Sequence, residues 1–187
     1  MSEKHKRNIT CDLTEQELSN TLSTVENMIK SMPAKQQHIM SEWLETWSTY
    51  INFEASFKPE KLKYYKRGEI VLAHFGYNTG SELGGPHFAI IVENNNNKYN
   101  NNVVVVPLSS LDENKSRNDL HKSEVYLGNV LPNTNKQSYA MPQQIRAISK
   151  LRIIKPKRSN DDVIKIPTEK LEEIDIKIRK LFTKPQD

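Results

Sequence analysis

Two hydrophobic periods divide this chain. Leu18, Leu22, Val25, Ile29 and Met32 recur at spacings of 4, 3, 4 and 3, which is one face of a helix. Thr14-Glu15-Gln16-Glu17 precedes them as a capping box, in which the Thr hydroxyl accepts from the residue-17 N–H and Glu17 reaches back. Ser31-Met32-Pro33 ends this helix, because proline lacks an N–H and pushes its predecessor out of the helical region. A second helix is expected from about Ala34 to Glu54, with Ile39, Trp43, Trp47, Tyr50 and Ile51 on one side and Pro59 beyond its end. The pair forms a helical hairpin whose apolar stripes must pack on each other, on the rest of the chain or on another chain. Both tryptophans are expected in a core.

From Tyr64 the pattern changes to short β-type runs: Ile70–Ala73, Phe88–Val92, Val103–Leu108, Glu124–Leu127 and Ile145–Ile148, separated by polar loops. Short strands spaced in this way predict a small barrel. Asn94–Asn97 and Asn100–Asn102 flank Lys98-Tyr99 in an Asn-rich hairpin excursion. A last helix is expected over Thr168–Phe182, where Leu171, Ile174, Ile178 and Leu181 fall at spacings of 3, 4 and 3. The organisation is therefore α+β: a flexible leader at 1–12, a helical hairpin at 13–58, and a barrel domain with a C-terminal helix at 59–187. No internal repeat occurs.

Composition adds location and partner. The apolar fraction is 36%, below the usual value of about 45–50%, so solvated segments are extensive. No apolar run is long enough to cross a bilayer. The charged start, Met1 to Arg7, is unlike a secretory signal. The single Cys11 has no internal disulfide partner, as suits a reducing cytoplasm. Net charge is +4, unevenly placed: residues 61–158 hold 15 Lys/Arg against 7 Asp/Glu, whereas residues 1–60 hold 6 against 9. A basic middle fits either a polyanion-binding surface or an ordinary solvated face.

The candidate chemistry sits between the first two strands of the barrel. Gly80-Ser81-Glu82-Leu83-Gly84-Gly85-Pro86-His87 combines tight-turn residues with a Ser, a Glu and a His. No metal-ligand spacing and no phosphate-binding glycine loop is present, so a metal-free, cofactor-free reaction is considered first. RNA cleavage qualifies because the substrate brings its own nucleophile, the 2′-OH. The protein then supplies a base, an acid and donors for the charged phosphorane.

This hairpin resembles the opening hairpin of the PemK/MazF family of toxin endoribonucleases. Two further stretches are similar to that family: Val103–Ser110, like a strand ending in a catalytic Thr or Ser, and Gln143-Gln144-Ile145-Arg146-Ala147-Ile148-Ser149, like Gln-x-Arg-Thr-Ile-Asp. The resemblance covers roughly residues 64–182. It implies an SH3-like barrel of five to seven strands, a homodimer, a groove for single-stranded RNA or mRNA across the dimer interface, and a cognate antitoxin that occupies the groove.

By position, His87 takes the place of the family's phosphate-directed Arg. An imidazole exchanges protons near neutrality but lacks the guanidinium fork. Ser109, with Ser110 beside it, aligns with the catalytic Thr. Ser81, the third catalytic candidate with His87 and Ser109, lies in the loop that closes over RNA, and Glu82 is expected to tie that loop down. Gly84 and Gly85 are expected to offer backbone N–H groups. Gln144 matches a base-contacting Gln, and Arg146 an Arg with a partly structural role. One branch places an Arg and an Asp before this Gln. Here Met141 and Gln143 stand there, so catalysis leans on His87 and Gln143 is left to contact RNA. The basic loop with Lys115, Arg117 and Lys122 is expected to meet phosphates, and Lys150–Arg158 extends the basic surface. Two rival readings use the same barrel: a nucleic-acid- or protein-binding module without catalysis, and a DNA-directed gyrase poison like the CcdB toxins. The helical hairpin is expected to add dimer contacts, cover a barrel face, or act as a built-in antitoxin.

Overall fold

The structure, a computed structural model, describes residues 13–131 and 134–184; the leader with Cys11 lies outside the described residues. The chain forms two compact units, one ending at Glu45 and the other beginning at Thr46. No helix among the described residues is long and apolar enough to cross a membrane.

Helix α1 (Glu15–Ser31) starts as its capping box requires. Glu17 N donates to Thr14 Oγ1 at 3.2 Å, and Thr14 N donates to Glu17 Oε2 at 2.9 Å. After Pro33, α2 spans Ala34–Glu54. Neither helix has a buried residue. Leu22 is 59% exposed and Trp47 47%, so the expectation of a core position fails for Trp47: its helix neighbours Ile51 and Phe53 are open as well. Within the second unit, the Tyr50 hydroxyl of α2 shares a 2.5 Å hydrogen bond with His74 Nδ1.

The second unit is built on eight antiparallel strands: β1 (Glu69–His74), β2 (Pro86–Ile91), β3 (Asn102–Ser110), β4 (Val125–Gly128), β5 (Ser138–Ala140), β6 (Arg146–Ser149), β7 (Ile153–Lys155) and β8 (Ile164–Lys165). Their order is β4-β5-β3-β2-β1-β7, with β6 also beside β3 and β8 also beside β1. Eight strands exceed the five to seven that the resemblance implies because one edge of β1 takes two short partners. β8 pairs with Glu69 and Ile70, and β7 with Leu72 and Ala73.

Strand β3 changes partner along its outer edge, from β6 at Asn102–Val105 to β5 at Leu108–Ser110. Pro107 stands at the change, where a residue without an N–H costs no ladder bond, and its carbonyl accepts from Met141 N at 2.9 Å. Alternation along the strands fills two cores. Ile70, Ile90, Val106, Leu108, Val125 and Leu127 pack with Leu171, Ile174 and Ile178 of α3 (Thr168–Phe182). Val71, Ala73, Phe75, Ala89, Ile91, Val103 and Val105 pack with Tyr65, Ile148 and Ile153 on the other face. Arg67 bonds both the Val92 carbonyl and Asp175, fastening α3 beside the β1–β2 hairpin.

Candidate active site

The loop between β1 and β2 is held from within and from one neighbour. Asn78 Nδ2 donates to the carbonyls of Phe75 at 3.1 Å and Leu83 at 2.6 Å. Gly85 N donates to Gly76 O at 2.6 Å, and Phe75 N to Gly85 O at 2.8 Å. This closure demands glycine twice: a Cβ at Gly84 would sit 2.7 Å from Gly76 O, and Gly85 has φ +76°.

Residues 142–146 clasp the same loop. A single turn of 3-10 helix at Pro142–Gln144 presents Gln144. Its Nε2 donates to Ser81 O at 3.4 Å, while its Oε1 accepts from Leu83 N at 3.5 Å and from Arg146 Nη2 at 2.9 Å. The Arg146 guanidinium lies 5.4 Å from the centroid of Phe75, itself 1% exposed. The chain thus gathers Ser81, Gln144 and Arg146 at one point. Two expectations change here. Glu82 makes no side-chain bond among the described residues, and Asn78, which the sequence reading did not single out, holds the loop instead, because an amide carries the donors that two carbonyls need. Of the paired glycines only the Gly84 N–H is without a partner among the described residues, since Gly76 O takes that of Gly85.

His87 and Ser109 form a second group. The ladder between β2 and β3 ends where Ala89 pairs with Pro107, and just beyond it the His87 side chain reaches β3 next to Ser109. His87 Nδ1 lies 3.3 Å from Leu108 O. A carbonyl only accepts, so Nδ1 carries the proton, and in the neutral ring Nε2 is the basic nitrogen. Nε2 has no hydrogen-bond partner among the described residues. Ser109 pairs with Tyr139 of β5, and Tyr139 with Tyr126 of β4. Residues directly opposite in an antiparallel sheet share a face, so Ser109, Tyr139 and Tyr126 form a row across three strands, and His87 reaches its Ser109 end through Leu108 O. Their neighbours Phe88, Leu108, Ala140 and Val125 point the other way, into the core.

The remaining candidates lie around this row. Ser110 is exposed at the end of β3 opposite Ser138, and Gln143 is exposed on the 142–144 turn. Lys115 pairs with Asp112 at 3.0 Å, which raises the lysine pKa through that hydrogen bond. Arg117 stands 5.6 Å over the Tyr126 ring. The backbone carbonyl of Lys122 accepts from Lys177 Nζ of α3 at 2.6 Å. Cavities of about 570 Å³ beside Arg67 and Asp175 and about 350 Å³ beside Trp47 and Arg152 contain none of these residues. The candidate site lies along a sheet face on partly exposed side chains. No group of three or more His, Cys, Asp or Glu placed to hold a metal ion occurs among the described residues.

Among solved structures, the chain is similar to MazF (form I) and to a MazE–MazF complex (form II), both from Deinococcus radiodurans. The first is 17% identical, covers 64% of this chain and 97% of its own, and has a TM-score of 0.46; the second is 17% identical, covers 64% and 96%, and scores 0.43. No curated protein matches the sequence significantly. The model of the PemK-like, MazF-like toxins matches residues 66–182. That span runs from the Lys66-Arg67-Gly68 turn through the loop, the His87–Ser109 pair and the Gln144 clasp to the end of α3, and the chain belongs to this family of type II toxin–antitoxin toxins.

Proposed function

We propose that this toxin-family chain is a sequence-specific, metal-independent endoribonuclease that cleaves single-stranded RNA, mRNA above all, in the cytoplasm as a homodimer restrained by a cognate antitoxin. The observation that carries this reading is the His87–Ser109 juxtaposition, with the imidazole fixed through Nδ1 on the carbonyl next to Ser109. In this mechanism the 2′-OH attacks the adjacent phosphorus while Nε2 of His87 takes its proton. The bond from phosphorus to the 5′ oxygen breaks, water protonates the leaving oxygen, and a 2′,3′-cyclic phosphate remains. The Ser109 hydroxyl and the Gly84 N–H donate to the charged phosphorane oxygens. Ser81, Gly85, Ser110, Gln143, Gln144 and Arg146 line the RNA path, and Lys115, Arg117 and Lys122 contribute phosphate contacts.

A second reading, RNA or protein binding without cleavage, is favoured by Met141 and Gln143 standing where one family branch has an Arg and an Asp. Incubation of the purified full chain with a long RNA in EDTA separates the two. Cleavage lost in His87→Ala is the expected result. Tight, salt-dependent binding without products supports the second reading and overturns the first.

A further inference from the structure

The sheet face beside His87 extends past Ser109. Tyr139 and Tyr126 continue it at successive strand spacings of about 4.8 Å, on the same face as Ser109. Both tyrosines are half-buried, so part of each ring is open to solvent. A cross-strand tyrosine pair alone would only stabilise a sheet, but cations converge on this one from two separate elements. Arg117 from the loop before β4 lies 5.6 Å from the Tyr126 centroid, and Lys170 of α3 lies 6.0 Å from it. Lys115 and Lys170 have carboxylate partners, Asp112 and Glu173. Arg117 has none among the described residues.

Flat rings interleaved with cations match the alternation of base and phosphate along an unpaired strand, where rings stack bases and cations meet phosphates. We propose that Tyr139 and Tyr126 form a base-stacking platform for single-stranded RNA running from Ser109 across β5 to β4, with Arg117 and Lys170 on the intervening phosphates. The proposal rests on reading His87 and Ser109 as the cleavage site, and it lengthens that site on one side. From Ser109 to Tyr126 the row spans two strand spacings, about 10 Å, so a substrate must extend beyond the scissile bond on that side to bind fully. An RNA strand is favoured over a second copy of the chain because two positive groups flank the Tyr126 ring and the row starts at the proposed reaction centre.

A fluorescein-labelled 2′-O-methyl RNA strand, which lacks the attacking hydroxyl, tests the platform by polarisation with the full chain. Tyr139→Ala should weaken binding about 5- to 100-fold at fixed salt and leave the slope of log affinity against log salt unchanged. Tyr139→Phe and Tyr139→Trp should bind as the parent does. Arg117→Ala should lower the salt slope by about 1. If Tyr139→Ala does not fold, Tyr139→Leu against Tyr139→Trp decides, because only the second keeps an aromatic face. Parent-like binding by Tyr139→Ala, or equal binding by the Leu and Trp variants, overturns the proposal. So does a Tyr139→Ala chain that binds RNA normally but loses self-association in sedimentation, since the face would then contact a second copy. Strand binding that depends on Tyr139 in a protein that does not cleave RNA keeps the platform and removes the nuclease. Cleavage with an unchanged KM in Tyr139→Ala keeps the nuclease and removes the platform.

Discussion

The turn of the β1–β2 hairpin and the sheet face beside it use polar side chains in opposite ways. In the turn the amide and guanidinium groups are engaged by protein: Asn78 by two carbonyls, Gln144 by Ser81, Leu83 and Arg146, and Arg146 by Gln144 and the Phe75 ring. On the sheet face His87 presents an unengaged Nε2, Ser109 is half-buried with no side-chain partner among the described residues, and Tyr139 is partly open. The two histidines of the hairpin repeat the contrast. Strands β1 and β2 pair His74 with Pro86 and Ala73 with His87, so the imidazoles are close in register. His74 is tied to Tyr50, and His87 is held by one nitrogen with the other left over. The difference separates groups that build the site from groups available to a substrate.

The contrast breaks most visibly at Phe75. Phe75→Ala empties a site that is 1% exposed under the Arg146 guanidinium. A loss of about 3–5 kcal/mol in denaturant unfolding is expected, and a loss below about 1 kcal/mol would mean that the loop is not built on this core. Ser109→Ala should do the reverse. It removes a donor from the proposed phosphorane site, so kcat should fall about 10²–10³-fold while the unfolding midpoint hardly moves; equal losses in rate and stability would make Ser109 structural.

These two positions also show how far the sequence can be read. The β-branched runs announce β1, β2, β3 and the cores they fill, and the capping box announces α1. The short strands β5, β7 and β8 escape notice because two or three residues such as Ser138-Tyr139-Ala140 carry no hydrophobic period. Periodicity also locates the apolar stripes of α1 and α2 without saying whether anything covers them, and Leu22 and Trp47 stay exposed. His87, Ser109 and Gln144 can be picked out as residue types in a suggestive order. That His87 reaches the Leu108 carbonyl beside Ser109, and that Tyr139 and Tyr126 continue a row from Ser109, depends on inter-strand register and on the change of partner at Pro107, which no local pattern encodes.

Smaller effects sharpen the comparison. Gln144→Ala removes three modest hydrogen bonds from the turn, so global stability should fall by about 1 kcal/mol. Hydrogen exchange at the Leu83 amide should rise by more than exchange in β2; uniform exchange would mean that the amide is not the clasp. Last comes pH. Burial, then the positive charges of Lys157 and Arg152, lower the pKa of His74 from its usual 6.5. The folded chain therefore binds fewer protons at this site than the unfolded chain, and stability rises with pH through the window just below 6.5. The His74 contribution is complete above 6.5 and fades as pH falls. His74→Gln should flatten that part of the melting-temperature profile, and an unchanged profile would show that the clasp with Tyr50 does not depend on the neutral ring.

The central claim is that the unengaged nitrogen of His87 drives RNA cleavage by the substrate's own 2′-OH. Its most direct measurement is the chemistry of the RNA ends produced by the full chain in EDTA, compared with His87→Gln, which keeps a polar group of similar reach but no base. The parent should give 2′,3′-cyclic phosphate and 5′-hydroxyl ends, with a rate at least about 100-fold lower in the variant; 3′-hydroxyl and 5′-phosphate ends, or an undiminished rate in His87→Gln, would contradict this role for His87.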